Sequence, residues 1–170
     1  MGSNNSVNIN GHGNHISSFS RARRAGSTST CVSYSDSVKE FEVGDLVEVT
    51  LFVPERGRGL NIGFLAGIDK REDDIALLIS ADFFTKQLNF YARKGQRWDT
   101  LQTSEKFPFE QGGKGVIQIK YMGSHNQVSV NGQEIANLKH RVDPNSVQTI
   151  FVESDVRVER IDYRPFKERQ

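Results

Sequence analysis

From about residue 41 onward, apolar and polar positions alternate in short runs separated by turn residues. Residues 45–53 (DLVEVTLFV) set Val47, Val49, Leu51 and Val53 against Glu48 and Thr50. Residues 60–66 (LNIGFLA) place Leu60, Ile62 and Phe64 on one face after a polar turn at residues 55–59. A period of two is that of a strand, whose successive side chains point to opposite faces. The same texture recurs at residues 75–80, 87–93, around Trp98, and at 115–122, 127–130, 133–138, 147–153 and 155–163, which predicts about ten strands. No segment repeats with a helical period. Asn131-Gly132 falls between QVSV and QEI, and two residues that tolerate positive φ there predict a type I′ hairpin. Near Val158 to Ile161 the apolar parity slips by one, which predicts a bulge or bend in the last strand. Many short strands at this spacing predict an all-β fold, a two-sheet antiparallel jelly-roll sandwich.

The stretch at residues 74–109 says most about function, because alternation divides its side chains between two faces. Ile75, Leu77 and Ile79, with Leu88, Phe90 and Ala92 on the next strand, are expected in the core between the sheets. The opposite face then carries Ala76, Leu78, Ser80 and Asp82 on the first strand and Asn89, Tyr91 and Arg93 on the second. Side chains on such a face are about 6.6 Å apart along a strand and about 4.8 Å apart between strands, which makes a compact, rigid grid. With Trp98 beside it, the grid suits a sugar ring: the apolar C–H face stacks on an aromatic, and the hydroxyls need directional polar partners.

Composition adds limits. At 170 residues, 36% hydrophobic and 25% charged, the chain has room for one globular domain plus a tail. The division is residues 1–37 as a disordered tail rich in Ser, Asn and Gly, residues 38–166 as the domain, and residues 167–170 as a C-terminal end. Residues 1–35 contain Arg21, Arg23 and Arg24 and no acid, so of the net +1 charge the tail carries +3 and residues 36–170 carry −2. That balance disfavours nucleic-acid binding by the domain, since such affinity is mostly phosphate neutralisation. The opening Met1-Gly2-Ser3-Asn4-Asn5-Ser6 fits an N-myristoylation pattern at Gly2, with the basic residues 20–24 as a second membrane signal. Membrane association is expected only if Gly2 is so modified. His12 and His15 have nothing to hold them as a metal pair, and no metal or other cofactor is expected. The single cysteine, Cys31, and the absence of a secretory leader point to a cytoplasmic protein, or one exported without a leader. No Ser or Cys sits in a base-bearing context, and the carboxylates Asp73 and Asp74 are adjacent on a strand and so diverge; no enzymatic activity is expected.

Five features in order along residues 43–163 resemble the galectin family. They are Asp74-Ile75-Ala76-Leu77, Trp98 nine residues before Phe107-Pro108-Phe109, the Val128-Ser129-Val130-Asn131-Gly132 hairpin, the Lys139-His140-Arg141 that follows it, and the Ser154-Asp155-Val156 strand start. The resemblance implies a jelly roll with a β-galactoside site on its concave sheet, and a carbohydrate-recognition domain over residues 38–166. It also exposes departures. Where galectins place His, Asn and Arg at alternate positions after Asp-Ile-Ala-Leu, this chain has Leu78, Ser80 and Asp82. Where they place an Asn seven residues before the tryptophan and a Glu three after it, this chain has Tyr91 and Leu101. Only Trp98 is kept. Five lost polar contacts at about 0.5–1.5 kcal/mol each would weaken β-galactoside binding by roughly two to five decades.

Two functions compete for the altered face. In the first it is a glycan site of changed chemistry, with Trp98 and Tyr91 stacking and Asn89, Arg93, Ser80 and Asp82 binding hydroxyls or an anionic sugar. In the second the sugar site has been lost, and Leu78, Tyr91, Trp98 and Leu101 form an apolar patch for a protein partner or a homodimer.

Overall fold

The computed structural model describes residues 3–6, 18–24, 27–33 and 40–165. Gly2, His12 and His15 lie outside the described residues. Thirteen strands are described: β1 (Ser3–Ser6), β2 (Ser18–Arg24), β3 (Ser27–Ser33), β4 (Leu46–Phe52), β5 (Gly59–Leu65), β6 (Ile75–Asp82), β7 (Gln87–Lys94), β8 (Arg97–Ser104), β9 (Lys114–Tyr121), β10 (His125–Val130), β11 (Gln133–Lys139), β12 (Thr149–Ser154) and β13 (Arg157–Arg164). A single 3₁₀ turn, Pro144–Ser146, is the only helical element among the described residues.

The strands form two antiparallel sheets, one ordered β1-β2-β3-β12-β5-β6-β7-β8 and the other β11-β10-β9-β4-β13. This is the predicted sandwich, and β4 to β13 are the ten strands that alternation predicts. Within residues 1–37, where composition predicts no regular structure, the structure describes β1, β2 and β3. β3 hydrogen-bonds along β12 from Ser33 opposite Thr149 to Thr28 opposite Ser154, which covers a row of backbone groups that would otherwise form a sheet edge.

The two sheets close on one core. Val47, Val49 and Leu51 of β4 and Ile117 and Ile119 of β9 meet Ile62 and Phe64 of β5, Leu77 and Ile79 of β6 and Leu88 and Phe90 of β7. One end is sealed by Phe83, Phe107 and Phe109, whose rings meet edge to face at 5.6–5.9 Å. Near the chain's end, the buried Tyr163 hydroxyl donates to Asp45 at 2.7 Å and ties β13 to the start of β4. The Asn131-Gly132 turn has φ of 52° and 80°, both positive as the hairpin requires. Asn131 does more than turn: its Oδ1 accepts from Val116 N at 2.9 Å and its Nδ2 donates to Pro108 O at 3.0 Å, binding the hairpin to β9 and to the FPF segment. The parity slip in β13 is also present, as a register shift between Val158 and Arg160 against β4.

Two further bulges correct the face assignment. Leu77 pairs with Phe64, yet Ile75 pairs with Leu65 and with Arg93, so Ala76 is the extra residue. Beyond it the parity of β6 reverses. Ile75 therefore leaves the main core and joins Leu65 and Phe151 in a small cluster on the outer face, while Ala76 packs against the main core. On β8, Phe90 pairs with Gln102 and Tyr91 with Thr100, which makes Leu101 the extra residue.

Candidate functional site

On the larger sheet, the face turned away from the core is laid out by strand register as three rows. The first is polar: Glu153, Asn61, Ser80, Asn89 and Thr103, one each from β12, β5, β6, β7 and β8. Next comes Phe151, Gly63, Leu78, Tyr91 and Thr100, and the third is Thr149, Leu65, Ile75, Arg93 and Trp98. Rows of this kind arise because cross-strand partners share a face. Between them and the loop that joins β5 to β6 runs a groove of about 680 Å³, lined by Asn61, Leu78, Arg93, Trp98, Phe151 and Glu153 together with Ile68, Asp69, Lys70, Arg71 and Ile75.

Trp98 stands at one end of the groove, 52% exposed. Its ring lies 5.3 Å from the Arg93 guanidinium and meets Tyr91 edge to face at 6.2 Å. Arg93 is 7% exposed, and its Nη2 donates to the carbonyls of Lys70 and Asp73, each at 2.6 Å. It is therefore the strut that holds the β5–β6 loop against the β7–β8 hairpin, and the support on which the indole rests. The same two segments are joined by Gly95 N donating to Asp74 Oδ1 at 2.9 Å and by Gln96 Nε2 donating to Glu72 O at 2.5 Å. Asp73, for its part, accepts the backbone N–H groups of Ile68 and Asp69 at 3.0 and 2.9 Å. The Asp73-Asp74 pair is thus structural, Asp73 closing its own loop and Asp74 tying that loop to the β7–β8 hairpin.

At the other end the floor is apolar. The Phe151 ring lies flat over Gly63, where an added Cβ would come within 2.1 Å of the ring carbon Cζ; only glycine leaves the ring this position. Lys70 crosses above, its ammonium 5.7 Å from the Phe151 ring centre and ion-paired with Glu153.

Of the residues singled out by sequence, Trp98, Leu78 and Arg93 line the groove, Tyr91 stands against Trp98, and Ser80 and Asn89 continue the polar row from Asn61. Asp82 lies beyond that row and is occupied locally, accepting from Phe84 N at 2.8 Å and Thr85 N at 3.1 Å. Those backbone bonds, Thr85 first, hold its carboxyl below the ordinary carboxylate range. Leu101, displaced by its bulge, packs against the main core; Thr100 takes the place opposite Tyr91. Sequence reasoning missed Phe151, Glu153, Asn61 and Lys70. For the first three the signal was there: Phe151 and Glu153 alternate on the predicted strand 147–153, and Asn61 is the polar interruption in LNIGFLA.

The profile of the galactoside-binding lectin family matches residues 33–163. The chain belongs to that family. A curated relative, the 32 kDa β-galactoside-binding lectin of Haemonchus contortus, is 29% identical over 104 residues, which span 61% of this chain and 35% of that protein. Among solved structures, sheep galectin-11 in complex with glycerol superposes with a TM-score of 0.65 at 19% identity, covering 81% of this chain and 97% of its own. A single-site variant of human galectin-16 gives 0.68 at 21% identity, with 80% and 93% covered, and a doubly substituted variant gives 0.67 at 21%, with 74% and 90%. These likenesses establish the galectin sandwich.

Proposed function

We propose that this domain is a non-catalytic carbohydrate-binding module in which a sugar stacks on Trp98 and β-galactosides bind atypically and weakly. The observation that carries this is the half-exposed indole, braced from beneath by Arg93, at the mouth of a groove flanked by the polar row Asn61, Ser80, Asn89 and Glu153. A rigid aromatic platform beside fixed amide, hydroxyl and carboxylate groups meets both needs of a polyhydroxylated ring. Weakness follows from the substitutions. Leu78 and Tyr91 offer the floor no donor fork, Asp82 is committed to its own turn, and Leu101 is turned into the core.

A second function, docking of a protein partner, is favoured by one specific observation: Phe151, Ile75 and Leu78 make the groove floor apolar, and Ile68 stands 83% exposed at its rim. A glycan array with the full chain and with Trp98→Ala and Tyr91→Ala separates the two. Carbohydrate binding predicts a sugar signal that falls by about tenfold or more in Trp98→Ala, the scale of one aromatic contact. Silence across the array favours the protein-docking function. Titration with lactose tests the weakness, since millimolar or tighter binding that is lost in Trp98→Ala would contradict it.

A further inference from the structure

The β7–β8 hairpin closes on two residues with positive φ, Gly95 at 56° and Gln96 at 67°, as a type I′ turn requires. That turn sets Lys94 directly across from Arg97. Like charges in this position destabilise a sheet, and neither side chain has an ion pair among the described residues, so the pair is a local cost to the fold. Both lie on the face opposite the groove, with Ala92 and Asp99, and together with Arg141 they wall a pocket of about 420 Å³ that Trp98 also lines. Asp99 is engaged by Arg141 at 3.3 Å. Three cations against one carboxylate leave the pocket at +2, whereas residues 36–170 as a whole carry −2.

This pocket opens beside a sheet edge. β8 is the outermost strand of the larger sheet, and its residues 97–100 are all exposed. Leu101 and Gln102 are half-buried, where β11 approaches and Gln102 Nε2 donates to Ile135 O at 3.4 Å. An edge strand offers N–H and C=O groups to an extended chain. The hairpin that carries this edge is already fixed by Gly95 N on Asp74 and Gln96 Nε2 on Glu72 O, so binding has little left to order.

We propose that residues 97–100 and the basic pocket beside them dock an extended acidic segment of a protein partner, added to β8 as a further strand. Strand geometry sets the pattern of that segment. Alternate residues face the pocket, where carboxylates meet Lys94, Arg97 and Arg141; the residues between them lie on the other face, beside the half-exposed indole, which suits apolar side chains. The partner segment therefore alternates acidic and apolar residues. A nucleic acid would find one small positive patch on a net-negative domain, and has no strand to add. The site is separate from the groove, and the inference does not depend on the carbohydrate function.

The test follows the fluorescence of Trp98, the only tryptophan, while the full chain is titrated with a synthetic peptide of alternating Glu and Val. Binding is expected, and it should weaken at high salt. The same peptide with Gln in place of Glu, and the Glu-Val peptide N-methylated throughout so that its backbone has no donors, should each bind at least about tenfold more weakly. In Lys94→Gln/Arg97→Gln, two exposed positions whose change should leave circular dichroism intact, affinity for the Glu-Val peptide should fall to that of the Gln peptide. No response to the Glu-Val peptide, equal binding of the Glu and Gln peptides, or undiminished binding of the N-methylated peptide overturns the docking site whether or not the double variant folds. Full affinity in a folded double variant overturns it as well. Inorganic phosphate or an oligothymidylate binding as tightly as the Glu-Val peptide does the same, because the site would then take a free anion or a nucleic acid.

Discussion

At the scale of single residues, Arg93 and His140 make the most definite statements. Arg93 is a buried cation that works mainly as a strut, with one nitrogen serving two loop carbonyls. Hydrogen bonds from a charged group contribute about 1.5–3 kcal/mol each, and lysine's compact ammonium lacks the planar fork, so Arg93→Lys should cost about 2–3 kcal/mol in urea unfolding. It should also shift Trp98 emission, because the indole loses its support; an unchanged urea midpoint would mean the strut contributes nothing. His140 is half-buried against Tyr121, ring centres 5.5 Å apart, and its Nε2 has no hydrogen-bond partner among the described residues. Burial, with the nearby His125 adding repulsion, pushes its pKa below the ordinary 6.5 despite the Gly123 carbonyl and Asp143, which raise it. A histidine whose folded pKa is depressed binds fewer protons folded than unfolded. Its contribution is therefore complete above 6.5 and is lost as the pH falls from 6.5 through the folded value. Thermal melts from about pH 7.5 down to about pH 5 should show Tm falling over that window, with a shallower fall in His140→Asn.

At the scale of elements, bulges decide what the groove contains. One extra residue in β6 sends Ile75 outward to pack with Leu65 and Phe151, and one in β8 sends Leu101 inward. The groove floor also depends on Gly63 beneath Phe151. Gly63→Ala must displace that ring, and overpacking of this kind costs about 1–3 kcal/mol. Shortening the ring should relieve it: in a double-mutant cycle, Phe151→Leu should cost less in the Gly63→Ala background than in the parent. Additive effects in urea denaturation would show that the two residues do not meet. Strand positions were largely legible in the sequence because alternation is a local signal. β4 to β13 each overlap a predicted run, and the Asn131-Gly132 hairpin and the bend in β13 were visible as turn chemistry and broken parity. The bulges of β6 and β8 were not visible: in β6 the extra residue sits inside the apolar run IALLI and leaves no polar mark, and in β8 Leu101 alternates with Thr100 and Gln102 as an ordinary strand residue would.

For the whole molecule, one core lies under both sheets, and it should unfold as a unit. Phe90 is fully buried at its centre, so Phe90→Ala should cost about 3–5 kcal/mol. Fluorescence of Trp98, on the outermost strand of the larger sheet, and far-UV circular dichroism should still report the same urea midpoint; separated midpoints would mean that the sheets fail independently. Membership of the galactoside-binding lectin family, matched over residues 33–163, agrees with this architecture. By itself the sequence determined the fold class, strands β4 to β13 and most of the main core, because side-chain period and residue type are written along the chain. Only the tertiary structure decided which side chains share the groove. Phe151 and Glu153 reach it from β12, and Lys70 crosses from a loop 83 residues away in sequence to pair with Glu153. It also decided that Arg93 bears the indole rather than standing free in solvent, and that Trp98 lines both the groove and a basic pocket walled by Lys94, Arg97 and Arg141. The reason is geometric: neighbours across a sheet are set by register, and register depends on strands that the chain brings together only when it folds.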